Sequence, residues 1–161
     1  MVILGIDASS QKTGLALYNK GLVGHALLDF SYNREYMERF KLMAKGIHRY
    51  IEDNRPDVVY AEDTWEKGGG FNNTATLKKL SYLLGAVMYM CRERNVPFNF
   101  IYPSEWRKVI GFKTGGLKRD ELKRLSIDYV AENYGMDVND DVADAICIAE
   151  AGHILNNKLF E

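Results

Sequence analysis

Four acidic residues stand out because each follows or interrupts an apolar segment of the kind that a folded core contains. They are Asp7 in ILGIDAS, Glu62 in VVYAED, and Asp141 and Asp144 in DDVADAICIAEAG. Clustered carboxylates repel one another, whereas hard divalent cations such as Mg²⁺ take oxygen ligands. If the fold brings the four acids together, they form a site for divalent metal ions.

The predicted elements are able to gather these acids. Apolar strands are predicted at residues 1–6 and 57–61, and an acid directly follows each of them. The last segment keeps a helical period, which puts Asp141 and Asp144 on one helix face. Parallel-type sheets build their sites beyond the carboxyl ends of the strands. A helix packed across that edge would therefore bring all four carboxylates together.

Simpler roles are open for each acid taken alone. Asp7 is a candidate turn or capping residue, and Glu62 is a candidate solvated loop acid. Asp140 or Asp141 can cap the final helix, where the macrodipole favours negative charge. Asp144 fits such a role less well, because an acid inside a small, apolar helix is rarely buried without a partner or metal ion. The combination is a stronger indication than any single member.

Charge is distributed unevenly along the chain, although the net charge is only −1. Segment 105–125 carries seven Lys or Arg residues and three acids, whereas segment 128–161 carries eight acids and one Lys. A carboxylate cluster beside a basic strip suits a polyanionic substrate that is cleaved with the help of metal ions. The basic segment taken alone is equally typical of a solvated helix face.

Length and composition indicate one domain over residues 1–161. The chain has 161 residues, 47% hydrophobic and 27% charged, which is ordinary for a globular protein with a core. No apolar run approaches the roughly 20 residues of a membrane span, and no leader pattern is recognised, so we expect a cytoplasmic protein without a membrane partner. Cys91 and Cys147 fall on apolar helical stripes and are expected to be reduced core residues.

The order of elements predicts an α/β domain with a mixed sheet. Strands are predicted at residues 1–6, 13–18, 22–28, 57–61 and 97–102, the first three as an antiparallel meander. Helices are predicted at residues 34–52, along the apolar stripe from Leu77 to Cys91 after a cap at Asn72 or Asn73, from a cap at Ser104 to Gly111, and at residues 117–133 and 140–157.

This order, with acids on the first strand, the fourth strand and the last helix, resembles the ribonuclease H-like fold, a mixed five-stranded sheet with helices on both faces. More narrowly, the chain resembles the RuvC-type Holliday junction resolvases over nearly its whole length. The family's G-I-D-P-G strand end is matched by GIDAS at Asp7, and its V-x-x-E by VYAE at Glu62. Its D-x-x-D-A pattern is matched by DVADA at Asp141 and Asp144.

The resemblance also implies residues that contact DNA. The family carries two cationic positions in this basic region, and Lys118 is the better match for one of them, with a catalytic role. Either Arg107 or Lys108 matches the other, because the register is ambiguous by one residue. Phe71, in the glycine-rich loop after Glu62, is expected either to insert at a DNA crossover or to act as a hydrophobic staple for the next helix. The expected DNA-binding residues are Phe71, Arg107, Lys108, Lys113, Lys118 and Arg119.

The activity that the resemblance implies is metal-dependent resolution of four-way DNA junctions by paired symmetric nicks, leaving 5′-phosphate and 3′-hydroxyl ends. Two Mg²⁺ ions per active site, for which Mn²⁺ can substitute, are expected on the four acids. Two opposed strands must be nicked, so a homodimer is expected, and the helix with the Leu77 to Cys91 stripe either joins that interface or stays within the monomer. The compact form suits a bacterial enzyme or a bacteriophage enzyme acting in the host cytoplasm.

Three alternatives are open. The first is a related nuclease with broader specificity for forks, three-way junctions or flaps, or one that acts on RNA. The second is an actin-like nucleotide-binding protein, because GID and TGL resemble a first phosphate loop, although 161 residues cannot hold the second domain of that superfamily. The third is a DNA-binding or structural protein that kept the fold without the chemistry, which the intact acids disfavour.

Overall fold

A mixed five-stranded sheet forms the centre of the computed structural model, which describes residues 1–63 and 74–158. Its strands are β1 (Ile3–Ala8), β2 (Lys12–Tyr18), β3 (Leu22–Asp29), β4 (Val58–Glu62) and β5 (Phe98–Ile101). Their spatial order is β3-β2-β1-β4-β5. The first three strands pair antiparallel, and β4 and β5 continue the sheet parallel to β1. The predicted mixed sheet is confirmed.

Helices cover both faces of this sheet, as predicted. They are α1 (Tyr36–Asn54), α2 (Thr74–Glu93), α3 (Pro103–Ile110), α4 (Arg119–Tyr134) and α5 (Asp140–Lys158). Buried side chains of α1 and α2 form one core with the sheet, and those of α3, α4 and α5 form a second core on the opposite face. No helix within the described ranges has the length and hydropathy needed to cross a bilayer.

Alternation along β1 explains why two cores form. Ile3 packs into the core below α5, whereas Leu4 and Ile6 pack against α1 and α2. Successive side chains of a strand point to opposite faces, so a strand buried on both sides reads as a continuous apolar run. Cys91 and Cys147 lie in the two cores and are free thiols, which confirms the prediction made for them.

Glycines in β1 and β2 let α5 approach the sheet closely. A Cβ atom at Gly5 would overlap the carbonyl oxygen of Ala145, and one at Gly14 would overlap the carbonyl oxygen of Asp141. Glycine is the residue that permits such close backbone contact. The N-terminal part of α5, which carries two of the four acids, therefore lies directly on the two strands beside Asp7.

Two differences between the predicted and the observed element ends bear on the site. Helix α3 begins at Pro103 with Tyr102 as its N-cap, so the prediction of Ser104 as the cap is wrong. Proline has the fixed φ that suits the first helical position, which moves the cap to the residue before it. Strand β1 extends to Ala8, so Asp7 lies inside the paired strand, opposite Gly14. The predicted caps Asn72 and Asn73 lie outside the described residues.

Candidate active site

Asp7 and Glu62 lie side by side at one edge of the sheet. β1 and β4 run parallel, and Ile6 pairs with Ala61, the residues directly before the two acids. Glu62 is the last residue of β4, and its carboxylate oxygen Oε2 accepts a hydrogen bond of 2.7 Å from Trp106 Nε1. The carboxyl ends of two adjacent strands thus bring two acids together, as the strand predictions require.

Helix α5 adds Asp141 and Asp144 from above this edge. Asn139 caps the helix, because its side-chain oxygen accepts a hydrogen bond of 3.1 Å from the backbone N–H of Val142. The simpler alternative, in which Asp140 or Asp141 is needed as the capping residue, is not supported by this contact. Burial raises the pKa of the Asp141 carboxyl, and the neighbouring Asp140 charge adds to the rise.

The electrostatics of Asp7 show that the acids from all three regions are neighbours. Its side chain is partly buried, and its pKa is raised well above the ordinary value of an aspartate. Desolvation is the largest cause, and the next causes are the negative charges of Glu62, Asp144, Asp141 and Asp140, in that order. Like charges raise a carboxyl pKa only at close range. The fold therefore concentrates negative charge around Asp7.

Asp144 is the most buried acid of the group, with 8% of its surface exposed. Burial is the main reason that its pKa is raised to about 6, and the charge of Asp140 adds to the rise. The Ser126 hydroxyl and the charges of Arg107 and Lys123 oppose it. Nevertheless, Asp144 Oδ1 and Ser126 Oγ are each buried without a hydrogen bond of normal geometry. A buried carboxylate oxygen without such a bond is costly, so this site is suited to a cation.

Arg107 and Lys123 are basic side chains near these acids. Arg107, which is partly buried on α3, lowers the pKa of Asp144, whereas Lys108 is exposed. Of the two alternatives for the first cation, Arg107 is thus the one beside the acid cluster. Lys123 on α4 forms an ion pair with Asp140 and thereby lowers the pKa of Asp140.

The remaining predicted DNA contacts are on the surface or outside the described residues. Lys113 and Arg119 are exposed, and Lys118 is exposed at the N-cap of α4. These three residues fit a basic surface, but their roles stay predictions. Phe71 and the neighbouring Trp65 lie outside the described residues.

Trp106 and Lys123 are site residues that the sequence pattern does not reveal. A tryptophan on a short amphipathic helix is typical of a core residue, and Trp106 is indeed fully buried. A buried indole N–H normally finds an acceptor, which is the one available signal, but it does not identify Glu62, 44 residues away. Lys123 looks like the other lysines of the basic segment, because only the packing of α4 against α5 brings it to Asp140.

The donor set fits hard divalent cations, although it is not a preformed metal cage. In the described part of the chain no three His, Cys, Asp or Glu side chains form a group ready to hold a metal ion. The acids nevertheless raise the pKa of Asp7 together, and one oxygen of Asp144 lacks a hydrogen bond of normal geometry. Carboxylate oxygens are the ligands that Mg²⁺ and Mn²⁺ prefer. The assignment of Asp7, Glu62, Asp141 and Asp144 as metal ligands stays a prediction.

Known proteins resemble this chain over most of its length, although no protein-family model matches it. The crossover junction endodeoxyribonuclease RuvC of Rickettsia akari is 24% identical over 164 residues, which cover 98% of this chain and 100% of the relative. The RuvC of Citrifermentans bemidjiense is 27% identical over 174 residues, covering 100% of this chain and 98% of the relative. This chain is a relative of the RuvC proteins. The RuvC of Corynebacterium glutamicum, 24% identical, is matched over 56% of its own length.

Solved RuvC structures share the fold. The structure of Thermus thermophilus RuvC in complex with a Holliday junction substrate matches with a TM-score of 0.76 and 19% identity, covering 98% of this chain and 96% of that one. The Holliday junction resolvase of fowlpox virus matches with a TM-score of 0.60 and 15% identity, covering 99% of both chains. The fold of this RuvC relative is therefore ribonuclease H-like, as predicted.

Proposed function

We propose that this RuvC relative is a metal-dependent, structure-selective endodeoxyribonuclease that resolves four-way DNA junctions by paired nicks leaving 5′-phosphate and 3′-hydroxyl ends. Residues 1–161 form its nuclease domain, and it acts in the cytoplasm. The observation that carries the proposal is the convergence of acids at one edge of the sheet, where the parallel pairing of Ile6 with Ala61 sets Asp7 beside Glu62 and α5 packs directly on β1 and β2. The raised pKa of Asp7, to which acids from β4 and α5 contribute, agrees with this arrangement. Relatives named crossover junction endodeoxyribonuclease and structural neighbours named for Holliday junctions support the substrate.

Four carboxylates would hold the metal ions, two Mg²⁺ per site in our proposal, with Mn²⁺ as a substitute. They are Asp7, Glu62, Asp141 and Asp144. Such ions supply an activated water and stabilise the leaving oxygen in phosphodiester hydrolysis. The protein contributes the arrangement of ligands. Gly14 keeps the backbone of Asp141 against β2, and the Trp106 indole holds one oxygen of Glu62.

Basic residues of α3 and α4 would bind the phosphate groups. Arg107 lies beside the acids, because its charge acts on Asp144, and its Nε is buried without a hydrogen-bond partner. A guanidinium offers several N–H donors to phosphate oxygens, and stabilises charge that develops on the scissile group. Lys118 is proposed as a second cation at that phosphate. The exposed Lys108, Lys113 and Arg119 would contact the DNA backbone around the site.

A homodimer would present two such sites to a junction with near two-fold symmetry. An exposed apolar surface on α2 and the edge strand β5 supports this assembly, and we call it the α2–β5 surface. It contains the exposed side chains of Tyr82, Met88, Tyr89 and Phe100. Met88 and Phe100 also line a shallow groove with Gly85. Exposed apolar patches are typical of protein interfaces.

Cleavage of labelled DNA tests the proposed substrate. Four-way junctions, three-way junctions, forks and linear duplexes of matched sequence are incubated with enzyme and Mg²⁺, and the nicks are mapped on every strand. We expect paired, symmetric nicks in four-way junctions and much slower cleavage of linear duplex. Equal rates on forks, flaps and four-way junctions would favour the alternative, a nuclease of broader branched-DNA specificity. Cleavage that persists without any divalent ion would contradict the proposed metal dependence.

A further inference from the structure

Trp106 connects α3 to the acid cluster. Its indole N–H donates a hydrogen bond of 2.7 Å to Glu62 Oε2, although the two residues are 44 positions apart. The side chain is fully buried, with 0% of its surface exposed. A hydrogen bond to a carboxylate is stronger than one between neutral groups, and burial strengthens it further. This contact therefore holds the Glu62 carboxylate in one orientation.

The sheet and α3 fix the indole in this place. Glu62 pairs with Ile101 at the end of β5, and α3 starts two residues after Ile101, so its first turn lies beside the end of β4. Phe112 packs edge-on against the Trp106 ring, with 6.1 Å between the ring centroids. The guanidinium of Arg107 lies 4.7 Å from the centroid of the same ring. The indole is therefore held by its own helix, an aromatic neighbour and a cation.

The chemistry of indole suits a positioning role. The indole N–H only donates and carries no charge, so it orients a carboxylate without neutralising it. An arginine or lysine in the same place would compete with a metal ion for the negative charge of Glu62. Partners of this kind, which orient a metal ligand without touching the metal, change metal affinity when they are removed.

We infer that Trp106 is a positioning residue of Glu62, holding its carboxylate in the orientation that binds a divalent cation. This inference rests on the proposed function, because it concerns the metal ligands of that same site. Helix α3 then supplies two adjacent side chains to the site: the indole that orients Glu62 and the guanidinium beside Asp144. Loss of the N–H should weaken metal binding while the fold is kept.

Calorimetric Mg²⁺ titration of the DNA-free protein tests this role. Trp106→Phe keeps an aromatic ring and removes the donor, and we expect its Mg²⁺ affinity to fall about 10–100-fold. Phe112→Leu is the matched control, because it alters packing on the same indole ring but leaves the N–H in place. Circular dichroism and melting temperature show that both variants fold. An unchanged Mg²⁺ affinity in Trp106→Phe, or an equal loss in Phe112→Leu, would overturn the inference.

A spectroscopic readout covers the case in which Trp106→Phe does not fold. The chain has two tryptophans, so Trp65→Phe assigns the two indole N–H signals in a proton–nitrogen NMR spectrum. We expect the Trp106 signal of the wild type to shift saturably with Mg²⁺ and to lose this response in Glu62→Gln. If the wild type binds Mg²⁺ and cuts junctions but the Trp106 signal does not shift with Mg²⁺, the inference about Trp106 is refuted and the proposed function is not. A wild type that binds no Mg²⁺ would refute the proposed function as well.

Discussion

Asp144 shows how much of the site a single residue reveals. The sequence predicts an acid inside an apolar helix, and the structure confirms that it is buried, with a raised pKa and one oxygen lacking a normal hydrogen bond. The sequence did not reveal its surroundings. Ser126, Arg107 and Lys123 reach it from two other helices, which only tertiary packing determines.

Asp144→Asn should stabilise the metal-free protein at neutral pH. Because the Asp144 pKa is raised to about 6, the folded state binds this proton more tightly than the unfolded chain. Stability from this group is therefore present at low pH and is lost as pH rises from about 4 to about 6. We expect the variant to be more stable than wild type by ~1–3 kcal/mol at pH 7.5, with the difference vanishing near pH 4.

Urea denaturation in the presence of a chelator measures this difference. The stabilities of the two proteins must be compared at each pH, because the Lys123–Asp140 pair makes the stability of both proteins fall as pH falls. This effect has the opposite sign to that of Asp144 and cancels in the difference. Added Mg²⁺ should stabilise the wild type and have little effect on Asp144→Asn. Identical stability of the two proteins across pH 4–7.5 would show that burial of the charged Asp144 carboxylate does not destabilise the folded protein.

Arg107 and Lys108 are adjacent in sequence but differ in environment. Arg107 is beside the acids and stacked on Trp106, whereas Lys108 is exposed. Arg107→Ala should reduce single-turnover junction cleavage by roughly 10²–10³-fold, as expected for loss of a charge that stabilises the transition state. Lys108→Ala should reduce it less than about tenfold and mainly through weaker, more salt-sensitive binding. The reverse order would assign the first cation to Lys108.

At the scale of elements, the sequence predicted most of the fold because each element carries a clear local pattern. All five strands and the helices over the described residues were anticipated, since strand alternation and helical periodicity are local properties. What it did not predict depends on contacts between distant segments. The indole of Trp106 reaches Glu62 only because β5 places α3 beside the end of β4.

Gly14→Ala tests whether the contact between α5 and β2 builds the site. The new Cβ would overlap the carbonyl oxygen of Asp141, so α5 must shift, and we expect a loss of stability of about 1–3 kcal/mol. Junction cleavage should fall more than the fraction of folded protein does. Gly21→Ala is the control, because a Cβ there has nothing within 4 Å. Full activity in a folded Gly14→Ala protein would refute this role.

At the scale of the whole molecule, the α2–β5 surface predicts self-association. Met88→Glu places a charge among the exposed apolar side chains, and we expect a dimer of the wild type to become a monomer in sedimentation experiments. The monomer should nick junctions singly instead of in coordinated pairs. Val23→Glu introduces the same charge at an exposed position on β3 and should leave the dimer intact. A monomeric wild type that still makes paired nicks would contradict the assembly.

The most direct test of the whole account is the separation of junction binding from junction cleavage in Asp7→Asn. Asp7 is the acid on which β4 and α5 converge, and its replacement by a neutral side chain removes a carboxylate that we propose as a metal ligand. We predict that the variant binds a labelled four-way junction within a few-fold of wild-type affinity and makes no detectable nick with Mg²⁺. Cleavage by Asp7→Asn at the wild-type rate would show that the acid cluster does not carry the chemistry.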